Sequence, residues 1–208
     1  MSAFKLFATP WWVNLLALVP VIAFLAFRRR GLALSGSQLL IATLFGVAFG
    51  FVEAAAVVYL RAALGYLPGY MGTLADLIRQ SSAAAYRQAQ TLGNLPRGLL
   101  AIEVAREAAT IVMLATLALL CAKRARERWA MFLWVFAIWD LSYYAGLWLT
   151  TRWPEALTTP DVLFLIPVPW LAQVWLAYLT SGLTIAAVLC SVRRADTRAR
   201  RRSASATQ

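Results

Sequence analysis

Five apolar runs of about twenty residues, each ended by polar or basic residues, constrain this chain more than any other feature. A run of that length crosses the hydrocarbon core of a bilayer as a helix, the one open-chain structure that satisfies its own backbone hydrogen bonds there. The runs lie at 11–27, 39–60, 97–122, 129–150 and 170–192. The expected fold is therefore all-α: a polytopic bundle of five transmembrane helices forming one domain over 1–192, with a basic, disordered tail at 193–208. Composition supports this. With 62% hydrophobic residues and 14% charged, against about 25% charged in soluble domains, the chain has too little polar surface to enclose these runs in water.

The basic residues give a sidedness. Arg28, Arg29 and Arg30 follow the first run while only Lys5 precedes it, the reverse of a secretory signal, so a retained anchor with its N-terminus outside is expected. Five passes then put 28–38, 123–128 and 193–208 on one side, and these segments hold thirteen of the twenty Lys and Arg residues. The orientation rule makes that side cytoplasmic, with the C-terminus on it. Cys121 and Cys190 both lie near it, where a disulfide is disfavoured. The expected location is a bacterial plasma (inner) membrane. The net charge of +11 does not argue for nucleic acid, because the arginines stand in short runs beside apolar segments.

Two further segments are expected on the outer face. Residues 73–92 have helical amphipathic spacing, and 162–170, broken by Pro167 and Pro169, is too short to cross and reads as an interfacial or re-entrant cap.

Ionisable residues inside the spans point to function. Glu53, Glu103, Arg106, Glu107 and Asp140 all fall within apolar runs. A charge at the centre of a spanning helix is unfavourable by roughly 2.5–3.5 kcal/mol on the insertion scale, so such groups mark functional sites by default. Helical rise puts all four acids in the outer half, roughly 6–15 Å below the outer ends of their helices. Glu103, Arg106 and Glu107 share one face of the third span, continued by Thr110. Asp140, Tyr143 and Tyr144 share a face of the fourth, where the neighbouring Trp139 reads as packing or a lipid anchor. On the second, Gly46 and Gly50 form a small-residue strip that Glu53 continues, so close packing there turns Glu53 toward another helix.

Four acids against one arginine leave negative charge that a bound cation or a retained proton must offset. The chain has no histidine, which excludes imidazole catalysis, histidine-ligated haem and the usual zinc and copper sites. If Glu53, Glu103, Glu107 and Asp140 bind a metal, their oxygen donors suit magnesium, calcium or manganese. Without a metal, Glu53, Glu107, Asp140 and Tyr144 are the candidate acid, base and hydrogen-bonding groups, and Glu103, Arg106 and Tyr143 the candidate ligand-binding ones. Below the acids the spans offer only scattered hydroxyls, Thr43, Thr116, Ser181 and Thr184, so a one-sided site is favoured over a through-pathway. Two function classes follow. One is an outward-facing site for a cation or a polar or lipid-linked ligand, extending to a membrane-embedded enzyme. The other is an accessory subunit of a larger membrane complex, in which the acids neutralise charges on partner subunits. Association with itself is compatible with either.

Overall fold

The computed structural model describes residues 7–63 and 97–205, so the amphipathic segment expected at 73–92 lies outside the described residues. The chain is mostly helical, and five helices are long and apolar enough to cross a membrane. The first crossing starts as a 3₁₀ helix, Trp11–Leu18, and continues as α1, Val19–Arg28. There follow α2 (Gly36–Ala63), α3 (Arg97–Cys121), α4 (Ala125–Thr151) and α5 (Val174–Ser205). Their membrane-length portions are Trp11–Arg28, Gly36–Tyr59, Leu100–Cys121, Ala125–Thr151 and Val174–Val192.

The element boundaries differ from the sequence reading at several ends: α2 extends three residues beyond its run at each end, and residues 170–173, read as the start of the fifth span, form a strand, so that α5 starts at Val174. α4 starts at Ala125, four residues before the apolar run, because Ala125, Arg126 and Glu127 are sound helix formers and the acid at the first turn suits the helix dipole. α5 runs past Val192 to Ser205, so helical backbone occupies the basic segment expected as a disordered tail. Its Ala and Arg residues favour that conformation.

One element departs from an all-α fold. Between α4 and α5, β1 (Pro160–Phe164) and β2 (Trp170–Gln173) form an antiparallel hairpin, with Pro160 opposite Gln173 and Phe164 opposite Trp170. The segment read as an interfacial cap thus pairs its backbone with itself, and Pro167 and Pro169 fall in the turn, where no ladder N–H is required. Thr9 extends the pairing: its N–H donates to the Leu171 carbonyl at 2.8 Å and its carbonyl accepts from the Leu171 N–H at 2.8 Å.

α4 is the central helix. Half of its membrane-length portion is buried, against 22% for those of α1 and α3, so it packs on several neighbours while α1 and α3 remain at the edge. Ala130, Met131 and Val135 of α4 join Leu114, Ala118 and Val188 in the main core. Its closest neighbour is α2, brought in by the glycine strip. A Cβ built at Gly50 would stand 2.6 Å from the Trp139 carbonyl oxygen and 2.7 Å from the Ser142 Cβ, and one at Gly46 2.9 Å from the Ile138 Cγ2. α4 returns the contact through Gly146, where a Cβ would meet that of Ala54 at 3.0 Å.

One end of the bundle is tied by polar contacts. Arg126 Nη2 donates to the carbonyls of Phe27 (2.7 Å) and Gly31 (2.6 Å), Gln38 Nε2 to that of Cys121 (2.5 Å), and the Leu32 N–H to that of Ser191 (3.2 Å). The Gln38 bond satisfies a carbonyl left over at the end of α3, and the others link the end of α1 and the segment after it to α4 and α5. They also gather the three segments that carry most of the basic residues.

Candidate functional site

The close approach of α2 and α4 buries Glu53, which is 5% exposed. Its partners come from α3. Arg106 forms an ion pair with Glu53 and a second with Glu103, whose Oε2 lies 2.9 Å from Nη2 and 3.3 Å from Nε. Thr110 Oγ1 stands 3.0 Å from Glu53 Oε1 and 3.1 Å from the Arg106 carbonyl, sharing its one proton between them. The three-and-four spacing of Glu103, Arg106, Glu107 and Thr110 makes this possible by turning all four to one side of α3.

Glu107 and Asp140 have other partners. Glu107, 8% exposed, accepts the backbone N–H of Leu165 at 2.8 Å. Leu165 follows the last paired residue of β1, next to a register shift between Val162 and Phe164, so its N–H is not used by the sheet. Asp140 accepts from Ser181 Oγ of α5 at 2.8 Å, and Tyr144 OH donates to Asp161 Oδ2 at 2.9 Å.

A cavity of about 50 Å³ lies among these groups. Glu53, Arg106, Glu107, Asp140, Tyr143 and Tyr144 all line it, joined by Thr110, Trp139 and the β1 residues Val162, Leu163 and Phe164. Residues proposed from three separate spans therefore share one hollow. Glu103 is the exception, half-buried behind Arg106 and outside the lining. A cavity needs at least roughly 10–15 Å³ to hold a water, so the hollow has room for ordered water or one small polar group.

Comparison with protein-family models, with curated proteins and with solved structures finds no match for this chain.

The four carboxylates read as metal donors do not assemble as such. Among the described residues, no three acidic or cysteine side chains gather closely enough to hold a metal ion. Arg106 stands where Glu53 and Glu103 converge, and Glu107 and Asp140 are turned to a backbone amide and a hydroxyl.

Three more residues join these groups. Of the two readings of Trp139, packing or a lipid anchor, its surroundings agree with packing: it is 7% exposed, lines the cavity and stacks on Tyr143 with ring centroids 6.2 Å apart. Ser181 is not a stray inner hydroxyl but the partner of Asp140. Asp161 sits outside the apolar runs, where an acid carries no desolvation penalty that the sequence reveals, yet it is buried at 6% exposed. Its place after Pro160 in a short segment between two spans is the only hint in the sequence. Trp139 Nε1 is buried with no hydrogen-bond partner among the described residues.

Proposed function

We propose that this is a multi-pass membrane protein whose intramembrane pocket binds the small polar part of a ligand arriving from the non-cytoplasmic side. The observation that carries the reading is the cavity itself: about 50 Å³ within a bundle of membrane-length helices, lined by four charged side chains from three of them. Charged groups that served only to close the bundle would pack against one another without leaving space.

The pocket has two functional layers. Arg106, Glu53, Glu103 and Thr110 form a cross-braced wall that holds α3 to α2. Glu107 and Asp140, which bond a backbone amide and a hydroxyl, are the ligand-facing and proton-exchanging groups, with Tyr144 oriented beside them by Asp161. The other hydroxyls do not extend the site inward. Thr43, Thr116 and Thr184 each bond a carbonyl of their own helix, which supports a one-sided pocket over a through-pathway.

The proposed orientation is N-terminus outside and C-terminus cytoplasmic, in a bacterial plasma (inner) membrane. Thirteen of twenty basic residues lie in the three segments at the Arg126 end of the bundle, which supports it. The pocket, walled in part by the hairpin residues Val162, Leu163 and Phe164, then lies toward the outer side.

Native mass spectrometry of the full chain, purified from its host membrane, tests the reading. A small non-protein mass on the wild type that is lost in the Glu107→Gln, Asp140→Asn double variant is the expected result. A wild type with no such mass, and a double variant that behaves identically, would contradict it.

A further inference from the structure

We propose that the seam between α3 and α4, at the basic end of the bundle, is a binding site for an anionic phospholipid, with one acyl chain lying in an apolar groove and the phosphate resting on Arg128. The site is separate from the carboxylate pocket and does not depend on what that pocket binds.

Shape comes first. The groove has a volume of about 460 Å³, within the roughly 300–1,000 Å³ of small-molecule sites, and shares no lining residue with the carboxylate pocket. Ile111, Ala115 and Ala118 line one wall at helical spacing along α3, and Arg128, Trp129 and Phe132 line the other in the same way along α4. The two alanines have too little bulk to fill the space between the helices. All six residues lie in the membrane-length portions of α3 and α4, so in a bilayer the groove faces acyl chains. Its length is that of one leaflet. From Ile111 to the end of α3 at Cys121 the helix rises about 15 Å, half of a hydrocarbon core about 30 Å thick.

Charge decides the chemistry of the occupant's head. Arg128 Nε donates to the Ala122 carbonyl at 2.9 Å, which fixes the guanidinium against the loop joining the two helices, while its Nη groups bond no residue among those described. Lys123 and Arg124 flank it and are exposed, whereas Arg126 is already engaged by the carbonyls of Phe27 and Gly31. Glu127, the one acid of this stretch, is buried and does not line the groove. The mouth is therefore basic, and a guanidinium with free N–H groups suits a phosphate oxygen. Basic pockets between helices at the membrane surface take anionic head groups in this way. Trp129 stands beside Arg128, 63% exposed and edge-to-face on Phe132 at 6.0 Å, where an indole meets the head-group level. A neutral lipid leaves the guanidinium unmatched, and a soluble phosphate leaves the groove empty. An anionic phospholipid answers both.

The test is native mass spectrometry of the full chain in a maltoside detergent, freed of bound lipid and titrated with three compounds. These are dioleoyl phosphatidylglycerol, dioleoyl phosphatidylcholine, which has the same chains and no net charge, and glycerophosphoglycerol, which has the head group and no chains. One phosphatidylglycerol is expected to bind about fivefold more tightly than phosphatidylcholine, the scale of one basic residue beside an anionic head group, and glycerophosphoglycerol is expected not to bind. Arg128→Gln is expected to abolish the preference and leave phosphatidylcholine binding unchanged, while Arg124→Gln, outside the groove, keeps the preference. Ala115→Leu fills the groove and is expected to weaken both lipids, which decides the matter even if Arg128→Gln does not fold.

Equal binding of the two lipids by the wild type overturns the proposal. So do equal effects of Arg128→Gln and Arg124→Gln, which would mean that the loop attracts lipid through its summed charge. Binding of glycerophosphoglycerol as tight as that of phosphatidylglycerol, or lipid binding untouched by Ala115→Leu, would mean that no chain occupies the groove, and overturns it as well. A protein that co-purifies with the wild type and is lost from Ala115→Leu, with lipid binding unaltered, assigns the groove to a partner helix instead.

Discussion

Arg106 lies between two carboxylates from different helices, and what each substitution does depends on which partner it strands. Glu53 is buried and reaches Arg106 across the α2–α3 contact, whereas Glu103 sits one turn away on the same helix and is half-buried. Arg106→Ala leaves the buried Glu53 carboxylate without its charge partner, and removing one partner of such a pair is unfavourable by roughly 3–5 kcal/mol. The expected outcome is a large drop in unfolding temperature in detergent. Glu53→Gln combined with Arg106→Gln should recover part of it, because the stranded charge is then gone, and a double-mutant cycle measures the coupling directly. Glu103→Gln, at the more exposed member, should lower stability by no more than about 1 kcal/mol.

At the scale of elements, two contacts set the pocket's geometry. The first is the α2–α4 seam. Gly50 faces backbone, the Trp139 carbonyl oxygen and the Tyr143 nitrogen, neither of which can give way, so Gly50→Ala must push the helices apart. Overpacking of that kind is unfavourable by roughly 1–3 kcal/mol, and thermal unfolding should register it. Gly182→Ala is the matched control: a Cβ there meets nothing within 4 Å, so no loss is expected. The second contact is the hairpin's attachment to α3 through the Leu165 N–H and Glu107. Glu107→Ala should raise backbone hydrogen exchange across residues 160–173, because the hairpin loses a charge-assisted tether. The same measurement on Glu103→Ala should show no change in that segment. Equal loosening by both variants would mean that the hairpin is held by packing alone.

For the molecule as a whole, the basic end and the pocket end make orientation a testable property. A C-terminal fluorescent-protein fusion should fluoresce. Alkaline phosphatase fused after the last residue should be inactive, and the same enzyme inserted between α4 and β1, near Ala156, should be active. The opposite pattern would reverse the assigned sides and put the pocket on the cytoplasmic face.

The sequence by itself determined the class of fold and the candidate residues, because both follow from transfer free energies that each residue carries wherever it lies. Apolar length marked the five membrane-length helices, the unfavourable burial of charge singled out Glu53, Glu103, Arg106, Glu107 and Asp140, and helical spacing turned each set to one face. The Gly46 and Gly50 strip predicted close packing beside Glu53, and α4 fills that place. What only the tertiary structure decided is how those faces are partnered. Which carboxylate meets the guanidinium and which meets a backbone amide depends on contacts between residues more than fifty positions apart, and no local pattern encodes them. For the same reason Glu53 and Glu103 are paired with Arg106, while Glu107 and Asp140 bond a backbone amide and a hydroxyl. Asp161, unremarkable in a loop, and the hairpin that carries it came into the site only when α4 and α5 packed together.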